Sequence, residues 1–257
     1  MIREIKLRKS VRKYQNKKLS EEDLKFVKES INEAKSLYGN IKYKVILEED
    51  GNKFYNTAGA ISKNLFFIKA PYYLILMSEE KEGFLENIGF IGEQIVLKLA
   101  GGGIGTCWIG GNISDKKFAK NYNTEYNVDY VICIAFGYPI EDLSEVEYRK
   151  RKDLEEIFSN ESYKEHFDAA KALQAAPSAT NKQPWSIFPE KDSWEYYTEE
   201  FSGVLSDKRN SLARIDAGIG LAHILLQSNR IGEMIHFNKD KNKDKEDYNY
   251  ITTVKFK

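Results

Sequence analysis

The sequence is poor in cysteine, histidine and proline, which number two, three and five among 257 residues. Cys107 and Cys133 form no C-x-x-C pair and cannot build a disulfide framework, so both are expected as buried, reduced thiols. His166, His223 and His236 stand in no metal-ligand spacing, and no metal is expected. No G-x-S-x-G elbow or Cys-His signature offers a nucleophile. Apolar runs are too short and interrupted to cross a bilayer, and the charged opening "MIREIKLRKSVRKY" leaves no apolar stretch for a signal peptide. A cytoplasmic protein is expected. Net charge is also lacking: Lys+Arg and Asp+Glu balance at 39 each, so no global field favours nucleic acid or an anionic membrane.

What is present is the composition of a globular protein, 42% hydrophobic and 30% charged. Ser20, followed by three acids, predicts a helix start, with Leu24, Val27, Ile31 and Ala34 at helical spacing. "KYKVILEE" alternates as a strand, "AISKNLFFIKA" reads as a helix, and "PYYLILMS" as a buried strand. Leu85, Ile88, Ile91, Ile95 and Leu99 form one helical face that the run Gly101–Gly103 ends. "DYVICIAFGYP" is a strand closed by Gly137 and Pro139. Farther on come a helix in "YKEHFDAAKALQAAP", a strand in "WSIFPE", a long helix in "ARIDAGIGLAHILLQSNRIG" and a closing hairpin around the charged loop "NKDKNKDKED". The order repeats. "INEAKSLYGNIKYKVIL" can be laid under "ALQAAPSATNKQPWSIF", with Tyr43 under Trp185, and "IGFIGEQIVLKLAGGGIG" under "IDAGIGLAHILLQSNRIG". Two related halves are expected, residues 1–158 and a shorter 159–257.

Three segments carry candidate chemistry. In Arg8-Lys9-Ser10-Val11-Arg12, alternate residues of an extended arm put Arg8, Ser10 and Arg12 on one side, where they can converge on a phosphate. By itself such an arm also suits a solvated surface. "PSATNKQPW" sets Pro177, Ser178, Asn181 and Gln183 on a tight turn suited to the polar edge of a planar ring, or simply to a helix-to-strand connection around a core Trp185. "GGGIGTCWIGGN" lacks the dinucleotide fingerprint, but Gly110 and Gly111 would let a ligand approach the backbone closely.

In content and order these segments resemble the FMN-dependent nitroreductase family, through "RKSVR", "KLAGGGIGTCWIGG", the strand ending "GYP" with the basic stretch after it, and "APSATNKQPW". The resemblance implies an α+β fold of mixed or antiparallel sheets flanked by helices. It also implies an FMN oxidoreductase that takes hydride from NAD(P)H and passes it to a nitroaromatic, quinone or related small-molecule acceptor. A non-catalytic flavin-storage protein and a flavin enzyme with another acceptor, as in dehalogenation, are the alternatives. Because N5 of the flavin does the chemistry, no catalytic side chain is implied. The implied cofactor contacts are Arg8, Lys9, Ser10, Arg12, Gly110, Gly111, Arg149, Arg151, Pro177, Ser178, Asn181 and Gln183. In the family the arginines and the P-S-x-x-N-x-Q-P turn come from different subunits. Here one chain holds both. "SLYGNIKYK" replaces the turn in the first half, and "RKDLEE" under "RKSVRK" puts Asp153 and Glu155 opposite Ser10 and Arg12. This pattern predicts a monomeric fused pseudo-dimer with one FMN per chain.

Overall fold

The computed structural model describes residues 1–257 except 60–61, 64–66, 112, 123–126, 147–148, 240–242 and 244, and the side chain of residue 115. The expected helix "AISKNLFFIKA" falls in part outside this set, at 60–61 and 64–66; of the rest, Ser62 and Lys63 are helical and 67–70 are not. The first half contains helices α1 (Arg3–Leu7), α2 (Glu21–Glu33), α3 (Gly51–Tyr55), α4 (Phe84–Gly101), α5 (Asp115–Asn121) and α6 (Leu154–Ile157). Its strands are β1 (Tyr43–Glu48), β2 (Tyr72–Ser78), β3 (Gly105–Ile109) and β4 (Asp129–Gly137). Then follow α7 (Phe167–Ala175), β5 (Trp185–Glu190), β6 (Ser193–Glu199), α8 (Ser206–Ile231), β7 (Ile235–Asn238) and β8 (Tyr248–Phe256).

The strands form two four-stranded sheets of order β1-β2-β4-β3 and β5-β6-β8-β7, with every ladder antiparallel. The order is the same in both, and in each a long helix joins the second strand to the third. Tyr43 and Trp185, matched by the repeat, each open the first strand of a sheet. β2 is buried along its whole length. Leu74 and Leu76 face the main core, while Tyr73, Ile75 and Met77 face a smaller core with Phe54 and Phe118. A strand covered on both faces reads as a continuous apolar run, as this one does.

α4 was expected to bury one face, yet it is buried nearly all round because α8 covers the side away from the sheet. The two helices meet at glycines. A Cβ on Gly89 would lie 2.0 Å from the Ile215 carbonyl oxygen, and one on Gly218 would lie 1.9 Å from that of Glu86. The contacts are reciprocal, each glycine against the residue three before the other, as around a local two-fold axis. This pairs Gly89 with Gly218, whereas the sequence overlay sets Gly89 against Asp216, two residues out of step. The overlay of "RKDLEE" on "RKSVRK" also meets a different geometry. Ser10 bridges to Thr106 in β3, but Phe158 bridges to Ile187 in β5, a strand equivalent to β1. Asp153 caps α6 in a capping box with Glu156, and Glu155 accepts a hydrogen bond from the Tyr163 hydroxyl at 2.9 Å. No helix of the described residues is long and apolar enough to cross a membrane.

Candidate functional site

Adjoining chambers lie where the N-terminal arm, β3, the 177–183 turn and α8 meet. The first, about 380 Å³, is lined by Arg8, Lys9, Ser10, Arg12, Arg149 and Arg151, with Pro177, Ser178, Thr180 and Asn181 opposite; no carboxylate lines it among the described residues. Ser10, Arg12, Pro177, Ser178 and Thr180 also line the second, about 370 Å³, whose other walls are Cys107–Gly110, Leu212 and Asp216. The arm and the turn, 165 or so residues apart in sequence, are thus two walls of one cavity.

The arm is placed by β3 and by Arg149. Val11 N–H donates to the Thr106 carbonyl at 2.8 Å. The Arg149 guanidinium donates from Nη2 to the carbonyls of Ile5, Lys6 and Arg8 at 2.7, 2.9 and 3.0 Å. Arg149 and Arg151 are both half-buried. Burial, and then the charge of Arg8, pushes both guanidinium pKa values down to about 10. Arg8 is only 5% exposed, and its Nε lies 3.9 Å from the Glu93 carboxylate, too far for a hydrogen bond. Its guanidinium makes no hydrogen bond to any described residue, and Nε is wholly enclosed. Arg151 bonds Asn181 Oδ1 at 2.7 Å but likewise leaves a buried Nε without a partner. Buried donors normally find acceptors, and an unmade bond of this kind costs about 1–3 kcal/mol. Two such atoms on residues lining one chamber, with no acid among its described residues, mark a place for an anion.

The turn is strained. Thr180, Asn181 and Gln183 have φ of 50°, 58° and 51°, a left-handed conformation that costs ~1 kcal/mol each for such residues. Several bonds hold it. Ala179 N–H donates to both Asp216 carboxylate oxygens at 3.1 and 3.0 Å, and Gln183 N–H donates to Ser178 Oγ at 2.8 Å. Asn181 Nδ2 donates to the Lys150 carbonyl at 3.0 Å. The Gln183 side chain is buried and lines neither chamber: its Oε1 accepts from Lys152 N–H and its Nε2 donates to the Asn181 carbonyl. Its place in the structure is to tie the turn to the basic stretch 150–152. The glycines also divide. Gly110 lines the second chamber, but Gly111 lines only a third, of mixed polarity, with Ile113, Ile132 and Lys208. A Cβ on Gly111 would strike Ser62 and Phe67, so packing alone requires that glycine.

Sequence reading passed over Asp216, Glu93 and Trp108, and considered His223 only as a metal ligand. Asp216 lines the second chamber, and burial raises its pKa well above the carboxylate range against the opposing pull of the Ala179 N–H. Glu93 and His223 are fully buried behind the cavity. The available signal was a polar residue inside an otherwise apolar helix, "GEQIVL", "RIDAGIG" and "LAHILL". Both cysteines are buried and free, as expected. Among the described residues no cluster could hold a metal ion.

A family model described as "Putative TM nitroreductase" matches residues 1–228. Over 98% of this chain and 91% of the other, the fold is similar to that of a Thermotoga maritima protein described as a "putative nitroreductase", with 24% identity and a TM-score of 0.62. Smaller overlaps join it to an FMN-dependent nitroreductase from Clostridium difficile (23% identity, 64% of this chain and 96% of that one, TM-score 0.47). A nitroreductase with bound FMN from Bacteroides fragilis overlaps similarly (20% identity, 57% and 93%, TM-score 0.45). No curated protein matches the chain.

Proposed function

The chain belongs to the nitroreductase family that this model describes, and on that premise we propose that it is an FMN-dependent oxidoreductase acting on a small-molecule acceptor. The observation that carries the reading is the buried Arg8 guanidinium, which among the described residues has no hydrogen-bond partner and lines a chamber with five cations and no acid. A terminal monophosphate suits it, since three oxygens can serve several forks at once.

On this reading Arg8, Lys9, Ser10, Arg12 and Arg151 hold the phosphate, with Arg149 fixing the arm from behind. Pro177, Ser178 and Asn181 meet the ribityl chain and ring edge, with Gly110 along the ring. The flavin supplies the hydride chemistry when bound. Arg12, which lines both chambers, supplies positive charge where a reduced ring becomes anionic. Asp216 holds the turn through Ala179. Gln183 acts through the turn. Electrons come from NADH or NADPH and go to a nitroaromatic, quinone or related acceptor.

The repeated strand order and the reciprocal glycine crossing support a fused pseudo-dimer, residues 1–158 giving the arm and 159–257 the turn. The proposal is one FMN per monomeric chain. Reconstitution with FMN or FAD, followed by anaerobic addition of NADH or NADPH, tests it. FMN retention with bleaching of the visible band is expected. Failure to retain FMN refutes the cofactor; FMN retained but unbleached by either nucleotide refutes the electron donor and points to storage.

A further inference from the structure

Behind the cavity, Glu93 on α4 and His223 on α8 meet in a space closed to solvent, both 0% exposed. His223 Nδ1 lies 3.1 Å from the Ala172 carbonyl and Nε2 lies 2.9 Å from Glu93 Oε1. Glu93 Oε2 accepts from Trp108 Nε1–H at 2.8 Å. Trp108 lines the second chamber, and Arg8, 3.9 Å from Oε1, lines the first.

These contacts fix a proton count. A carbonyl only accepts, so Nδ1 carries a hydrogen. Nε2 and Oε1 then need one further proton between them. If the imidazole holds it, the pair is cation and anion; if the carboxyl holds it, both are neutral. The sum is the same. The rival arrangement, a neutral ring with hydrogen on Nε2 beside an ionised Glu93, would turn a bare Nδ1 lone pair toward a carbonyl.

We propose that Glu93 and His223 are positioning residues that share one proton, brace Trp108 and Arg8 from behind, and leave Arg8, Glu93 and His223 with a net single positive charge at the anion-binding end of the cavity. Arg8 then has no counter-charge of its own, in keeping with its unpartnered guanidinium. The other titratable groups facing this space are Arg149 from the basic stretch, Cys107 from β3 and Asp216 from α8. Burial lowers the His223 pKa while its hydrogen bond to Glu93 pulls the other way.

The charge count stands apart from the flavin reading, and only its functional weight rests on that reading. Nitrogen-15 NMR of histidine-labelled, ligand-free protein tests it directly, with His223→Gln assigning the signal. A protonated Nδ1 from pH 6 to 8 is expected; a bare Nδ1 overturns the proposal. Titration with inorganic phosphate gives a second readout that a merely structural role would not move. Glu93→Gln keeps the net charge, because its amide can donate to Nε2 while its oxygen accepts from Trp108, so phosphate affinity should stay within about twofold. His223→Gln leaves Glu93 ionised against Arg8, removes one positive charge and should weaken phosphate by about tenfold, as expected for a unit charge acting over ~10 Å at an effective dielectric constant near 20. The opposite pattern, Glu93→Gln tightening phosphate while His223→Gln leaves it unchanged, overturns the proposal. Should either variant unfold in a urea melt, the parent's Nδ1 signal decides alone. If the NMR and phosphate results hold while FMN fails to bind, the flavin reading falls and the charge count stands.

Discussion

Replacing Arg8 by methionine should stabilise the ligand-free protein while crippling its anion site. The parent buries a guanidinium whose Nε is enclosed without a partner and whose nearest carboxylate, 3.9 Å away, is already bonded to His223 and Trp108. An unmade buried bond costs about 1–3 kcal/mol, and replacing buried charge by an apolar side chain of similar volume is often neutral or stabilising. A gain of about 1–2 kcal/mol is expected in urea unfolding without ligand. Adding FMN reverses the order. At a hundred times its dissociation constant a ligand stabilises the parent by about 2.7 kcal/mol, and the variant, lacking a charge-assisted bond worth about 1.5–3 kcal/mol, gains much less at the same concentration. The two stability curves should cross as FMN is added, monitored by circular dichroism at each concentration. A loss of more than about 1 kcal/mol without ligand would refute the reasoning, because it would make Arg8 a structural cation balanced by Glu93.

Other expectations follow from the same geometry. Arg12→Ala, which removes an exposed side chain whose described bond is a 3.5 Å contact to the Ser10 carbonyl, should weaken FMN roughly ten- to a hundredfold in a fluorescence titration and leave the ligand-free melt within about 0.5 kcal/mol. Asp216, with its folded pKa raised by burial, contributes stability that is complete below its unfolded pKa near 4 and is lost as pH rises toward the folded value, by up to about 1.4 kcal/mol per pH unit. Asp216→Asn should flatten that slope in urea midpoints from pH 4.5 to 8, and parallel profiles would exclude the effect. Gly218→Ala drives a Cβ against the Glu86 carbonyl and should cost about 3 kcal/mol, while Gly39→Ala, with no atom within 4 Å of the added carbon, should show no steric loss. Mixing Arg12→Ala chains with Asn181→Ala chains should restore no tight FMN binding, since each chain carries one damaged site; recovery would mean that the site is shared between chains.

The sequence made the larger elements legible where burial pattern and element coincide. The β2 run, the α4 stripe and the strand after Pro184 all fall where periodicity puts them. Elements without that coincidence were lost. β3 hides in "GGGIGTCWIGG", where glycine weakens any strand signal. β6 follows β5 across Lys191-Asp192, a two-residue connection without the glycine or asparagine that marks a hairpin. α8 begins at Ser206, seven residues before the apolar pattern, because "SDKRNSL" is polar and Leu205 offers no capping side chain. In the site, arm and turn were legible as motifs because their residue types are unusual together. The division of labour among their residues was not. Whether Arg149 grips a ligand or three carbonyls of its own chain, and whether Gln183 faces a ring or Lys152, depends on which partners the tertiary fold brings within 3 Å.

The strained turn and the unpaired arginine have a common physical logic. Three left-handed non-glycine residues and two enclosed guanidinium nitrogens each cost stability, and two of the former, Thr180 and Asn181, line the same chamber as Arg8 and Arg151. Such costs persist only where the surroundings over-determine them. Here Asp216, Ser178 and Arg151 fix the turn, while Arg149 and the Thr106 carbonyl fix the arm. Asp216 lies two residues before Gly218, so the close approach of α4 and α8 is also what carries its carboxylate to Ala179. On the fused reading, one chain can set arm against turn through a single helix crossing and leave the symmetry-related position free to change.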